Sequence, residues 1–184
     1  DSFAKPIADR RVWPAKQHSI GIEPQTPTDW LTFSKRNLAY GYNAQMRACA
    51  SFPEMIPYYQ EMKRRGVQMD IDTMFVMLSR AARYDKIVAP DVFALYDEMT
   101  LLGAKTDIAV AEVLQTLWEH SAGCDADWRE ARRRQLVEVY QQLALEDVRN
   151  LGEKGFDKLM LQQVARYRTN LKSLGGRLHY DVWV

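Results

Sequence analysis

His120 and Cys124 stand four residues apart, the spacing at which two side chains share one turn of a helix and could grip a metal between imidazole and thiolate. Zinc asks for three or four protein ligands, and no second His or Cys lies at ligand spacing. The pair therefore reads as a helix-end histidine followed by an incidental thiol. Cys49, in an apolar helical segment beside Met46, reads as core. The cluster Arg129, Arg132, Arg133 and Arg134 could meet phosphate or an acidic partner, since its first three members share a helical face. Glu130 and Glu138 lie among them, and a solvated helix face is the better account. The chain carries no GxxxxGK[ST] phosphate loop, no GxGxxG after a strand, no HExxH and no GxSxG. Its carboxylates fall mostly where helix caps and surface charges belong. No enzyme activity, cofactor, metal or small-molecule substrate is expected.

What must position such residues is one ordinary domain's worth of chain. It has 184 residues, 47% apolar and 27% charged, enough to bury a real core without disulfides or metal. That composition excludes intrinsic disorder. Twenty-five Lys and Arg against 24 Asp and Glu leave a net charge of +1, with none of the basic surplus that nonspecific phosphate binding draws on. The two cysteines, far apart and without a CxxC pair, fit a reducing compartment. No apolar run approaches the ~20 residues that span a bilayer. The sequence begins at Asp1, which leaves room for an upstream segment such as an organellar presequence.

All seven prolines fall in the first half, four of them before residue 28. Proline fixes φ and lacks an N–H, so residues 1–27 read as an extended arm. The arm carries Phe3, Ile7, Val12, Trp13 and Ile20, too apolar for a solvated tail. It packs on its own domain or on a partner, and Phe3, Trp13 and Trp30 are the candidate partner-binding residues. From Thr28 onward the punctuation is helical. Thr28 and Asp29 cap a short helix through Phe33, and further helices read as 38–50, 54–65, 72–84, 90–102, 108–121, 127–148 and 156–173. Gly66 and Gly103 sit where helix ends want a left-handed residue; Asp72, Asp107 and Asp125 or Asp127 sit where starts want a cap. Pro57 belongs in a first turn or marks a later start for its helix. Residues 175–184 read as an extended tail.

A repeat organises these helices. Tyr59, Met62, Gly66 and Asp70 recur 37 residues later as Tyr96, Met99, Gly103 and Asp107, and a degenerate third copy falls at Val139 to Leu143. In each unit an aromatic and a Met three apart face a neighbouring helix, Gly ends the helix and Asp starts the next. Single hairpins cannot bury their apolar faces, so such units stack. Units 38–70, 71–107 and 108–147 followed by a capping helix at 156–173 give an all-α class, a short solenoid of about three hairpins within a domain spanning 28–174.

With Tyr42-Asn43 opening a first helix and these marks closing two units, the pattern resembles the pentatricopeptide-repeat (PPR) family over residues 38–147. The resemblance implies helical hairpins and, in RNA-binding members, one base read per repeat by polar side chains near the start of the first helix and at the unit's end. The first unit matches with the pair Asn43 and Asp70. The second places Phe75 at the first of these positions and the third Glu112, departures that disfavour RNA readout. Within the family the chain is most like the euglenozoan PPR-like accessory subunits of the mitochondrial ATP synthase catalytic head. That likeness implies a mitochondrial, matrix-side, non-catalytic subunit bound to the outside of a nucleotide-binding alpha subunit. The alternative is a PPR-like protein of a mitochondrial ribosome or RNA-processing complex, packed on RNA or ribosomal proteins.

Overall fold

The computed structural model of the chain describes residues 39–151 and 158–178. Among these residues there are seven α-helices and no strand: α1 over 39–48, α2 Phe52–Arg64, α3 Ile71–Ala81, α4 Ala89–Leu101, α5 Ile108–Glu119, α6 Ala126–Leu151 and α7 Lys158–Ser173. The all-α class expected from the sequence is the one observed. The chain divides into two compact units, Asp1–Lys105 and Thr106–Val184. The arm with Phe3 and Trp13, the short helix at Trp30, and the end of the tail lie outside the described residues.

In the first unit α3 packs against both α2 and α4. Their shared core is rich in Met and aromatic side chains: Met55, Met62, Met74, Met77, Phe93 and Met99 have no accessible surface. Thioethers fill irregular gaps between helices well, which suits a core assembled from hairpins. The ends of α2 and α4 close in the same way. Gly66 (φ +62°) and Gly103 (φ +86°) adopt the left-handed conformation that a Cβ disfavours. The Gly66 and Val67 amides donate to the carbonyls of Lys63 and Met62 at 3.1 and 2.9 Å, and those of Gly103 and Ala104 to Thr100 and Met99 at 2.9 and 3.0 Å. This is the Schellman closure, with Val67 and Ala104 buried beneath it. Asp70 and Asp107 then cap the next helices, accepting from the amides of Thr73 and Val110 at 2.7 and 2.9 Å. The marks 37 residues apart therefore do equivalent work. The cap of α3 is Asp70, not Asp72: the helix starts at Ile71, and Asp72 lies in its first turn.

Pro57 also departs from expectation, since it sits inside α2 rather than in the first turn or ahead of the helix. Proline there deprives the Pro53 carbonyl of its helical donor. Burial of Phe52, Met55, Tyr59 and Met62 on one face of α2 offsets that loss. Pro57→Ala is expected to raise stability by about 1 kcal/mol, the restored bond outweighing the greater freedom of the unfolded chain. Urea unfolding checks it, and a lower midpoint would show that the ring is needed where it stands.

The C-terminus of α1 is closed from a distance. Arg80 of α3 donates from Nη1 to the Cys49 and Ala50 carbonyls at 3.2 and 3.3 Å, and from Nη2 to the Arg47 carbonyl at 3.3 Å. A cation on orphan carbonyls at a helix end answers both their hydrogen-bonding need and the helix dipole.

In the second unit α6, 26 residues long, packs against α5 and α7. Leu114, Leu136, Tyr140, Ala144, Tyr167 and Leu171 are almost wholly buried there. The degenerate third copy falls in mid-α6, where Tyr140 takes the buried aromatic role, but Asp147 stands at the position of the glycine and the helix runs on to Leu151. α7 ends in a turn of the Schellman type at Gly175 that the repeat did not announce: the Gly175 and Gly176 amides donate to Lys172 and Leu171 at 3.1 and 2.8 Å.

Candidate functional site

Asn43 and Asp70, the pair that would read a base, lie together in the first unit. Asn43 has no accessible surface. Its Nδ2 donates to Asp70 Oδ1 at 2.9 Å, and its Oδ1 accepts from the Thr73 hydroxyl at 2.8 Å. Asp70 Oδ1 further accepts from the Thr73 amide, and the Asp70 amide donates to Thr73 Oγ1 at 3.3 Å. The hydroxyl also stands 2.8 Å from Asp70 Oδ1. Its single proton satisfies the buried amide oxygen when it points to Asn43, because Asp70 has other donors. The three side chains make a closed capping network, and the amide edge that would meet a base is turned to Asp70.

The other two positions that the resemblance singles out are different in kind. Phe75 is 38% exposed on α3, four residues beyond Ile71, itself 40% exposed. Glu112 of α5 is bound within its own unit: Arg166 donates to it at 2.7 Å and Asn170 at 3.2 Å, both from α7. Asn170 reaches the Tyr140 hydroxyl at 3.2 Å, and that hydroxyl donates to Gln115 Oε1 at 2.8 Å. Gln115 Nε2 in turn donates to Glu119 and Ser173. Burial, aided by the charge of Glu112, pushes the Tyr140 hydroxyl well above the usual tyrosine range and keeps it a neutral donor. Glu112 thus anchors a polar seam joining α5, α6 and α7, which sequence reasoning missed because its partners lie 54 and 58 residues away.

The arginine cluster is likewise engaged. Arg133 and Arg134 both hold Glu130, at 2.8 and 2.9 Å, and Arg133 Nη1 also donates to the Leu174 carbonyl at 2.7 Å. Arg132 donates to Gln135 at 2.8 Å. Arg129 lies over the Trp118 ring at 5.0 Å, and the Trp118 indole donates to the Arg129 carbonyl at 2.9 Å. The hydrogen bonds from Arg133 and then Arg134 hold the Glu130 carboxyl down at about 2. A carboxyl depressed on folding stabilises above its unfolded value near 4.5 and loses that contribution as pH falls toward 2. The stability difference between wild type and Glu130→Gln is therefore expected to be constant above pH 5 and to vanish toward pH 2. Unfolding curves across that range check it; a difference that persists at pH 2 would mean the carboxylate is not what matters.

His120 ends α5 in the open, its Nδ1 2.7 Å from the Thr116 carbonyl, and no group of three or more metal-binding side chains occurs among the described residues. Cys49 is partly exposed rather than core, because it lies beyond the last turn of α1; its Sγ donates to the Gln45 carbonyl at 3.4 Å. Burial, helped by the nearby Glu54, pushes its thiol up, the wrong direction for a nucleophile. Among the described residues no helix is long and apolar enough to cross a membrane.

One cavity in the first unit combines apolar walls with charge. It encloses about 430 Å³ between Ala39, Met69, Ile71 and Gly103, with Gln68, Asp70, Asp72 and Lys105 also lining it. Compared with known proteins, the chain matches no family model and no curated protein.

Proposed function

We propose that this chain is a non-catalytic, PPR-like helical-repeat subunit of the mitochondrial ATP synthase catalytic head, bound to the outside of a nucleotide-binding alpha subunit. The burial of Asn43 carries the reading: the unit keeps its repeat punctuation at Gly66, Asp70, Gly103 and Asp107, while the amide that would read a base is closed into the fold. A repeat that retains its frame and loses its reading edge is suited to protein contact. Glu112 and the arginine cluster, engaged with partners of their own, support the same direction, as does the near-neutral net charge. Exposed apolar side chains on α3 and at the end of α4, Ile71, Phe75, Leu101 and Leu102, supply contact area of the kind protein interfaces use.

Gentle native purification of the tagged protein, with and without nuclease, followed by mass spectrometry tests the reading. ATP synthase alpha and beta subunits are expected in stoichiometric, nuclease-resistant amounts. Ribosomal or RNA-processing proteins lost on nuclease treatment would overturn it in favour of the RNA-associated alternative. Deleting residues 1–20, which removes Phe3 and Trp13, is expected to weaken this association at least tenfold while the helical domain stays folded by circular dichroism. Unchanged association would remove the arm from the contact.

A further inference from the structure

The cavity of the first unit has one side chain that decides what fits it. Two donors converge on Asp70 Oδ1, Asn43 Nδ2 at 2.9 Å and the Thr73 amide at 2.7 Å, with the Thr73 hydroxyl oxygen beside it at 2.8 Å. Both donors are neutral, so they orient the carboxylate and leave its charge in place. Asp70 forms no ion pair among the described residues, whereas its neighbour Asp72 is held by Arg47 at 2.8 Å. Met69 and Ile71 supply apolar wall on either side of it in sequence. An oriented carboxylate with no ion-pair partner among the described residues, beside such a wall, matches a side chain with an aliphatic stem and a positive head.

We propose that this cavity receives a single basic side chain, Arg or Lys, from an amphipathic segment of a protein partner, its stem against Met69 and Ile71 and its charged head on Asp70. The inference rests on the reading of the chain as a protein-binding subunit and names the contact. Lys105 lines the same cavity, so a run of cations would be repelled and one basic residue is accommodated. Ile71 and Phe75, one turn apart on α3, extend apolar surface away from the cavity for the residues that flank the anchor. A nucleic acid fits poorly: Asp70 and Asp72 would face its phosphates, and the amide of Asn43 is buried.

The test is an NMR titration of the full chain with N-acetyl-arginine amide, its uncharged citrulline analogue and uridine monophosphate as probes. Saturating shifts of the amides at 68–72 and 103–105 are expected with arginine, at least tenfold weaker with citrulline and absent with the nucleotide. Asp70→Asn keeps a capping oxygen for the Thr73 amide and is expected to weaken arginine binding at least tenfold at an unchanged melting temperature. Should that variant unfold, Ile71→Arg, which adds a second cation beside Lys105 at the cavity and removes its apolar wall, is expected to abolish the response. No localised shift, an equal response to citrulline, or a preference for the nucleotide would overturn the proposal. These outcomes are independent of the native purification. A negative titration with ATP synthase subunits still copurifying removes only the cavity contact, whereas loss of copurification with a positive titration removes only the identity of the partner.

Discussion

A chain carrying both Gly66→Val and Gly103→Val is expected to lose about 2–4 kcal/mol of stability, seen as a lower urea midpoint and melting temperature. Each glycine holds a φ of +62° or +86° that costs an L-residue ~1–2 kcal/mol, and valine's branch at Cβ makes it among the worst tenants. A Cβ built at either position meets nothing within 4 Å, so the penalty is conformational rather than steric crowding by neighbours. Gly123 supplies the control. It too has open space around a Cβ but no positive φ, so Gly123→Val is expected to change stability by less than about 0.5 kcal/mol. Equal melting of the double variant and wild type would show that the two turns are not the closures described above.

Asn43→Leu is expected to cost about 1–3 kcal/mol and to leave any RNA affinity of the purified chain unchanged. The leucine would be near in size but would withdraw the amide donor from Asp70 Oδ1 and the acceptor from the Thr73 hydroxyl, both at a wholly buried position. The two readouts separate the roles. A base reader on the surface would lose binding and keep its stability; a buried member of a capping network loses stability and has no binding to lose. Thermal melts alongside a fluorescence titration with oligouridine make the comparison. Reduced RNA binding at an unchanged melt would reinstate Asn43 as a reader.

For the described helices the limits expected from the sequence fall within about three residues of those observed, because capping is local chemistry: Gly66, Gly103 and Asp107 act on backbone groups three to five positions away. Local punctuation puts a cap at Asp72 where the repeat spacing puts one at Asp70, and the repeat is right, because of the two acidic residues flanking Ile71 only Asp70 lies immediately ahead of the helix. Pro57 was not legible because its local preference is overruled by the buried face of α2, a property of what packs there. The fate of the candidate site was hidden for the same reason. That Asn43 would be buried depends on Asp70 and Thr73, 27 and 30 residues on, and that Glu112 would be bound depends on α7. Identity of a residue at a family position tells what it could do; the partners that consume its donors come from pairings between helices, which no local pattern encodes. The cavity near Asp70 is a third instance, assembled from residues as distant in sequence as Ala39 and Lys105.

The closure of α1 by Arg80 also sets a sequence of events on the ribosome. The ends of α2 and α4 are completed by glycines in the same turn, as soon as those residues emerge. The carbonyls of Arg47, Cys49 and Ala50 must wait for a guanidinium 30 to 33 residues downstream. At translation rates of about 5–20 residues per second that delay is roughly 2–6 s, during which water or a chaperone serves the open end of α1. Thus α1 is left unfinished until α3 has been synthesised, and a nascent chain stalled short of Arg80 would present it frayed at its C-terminus.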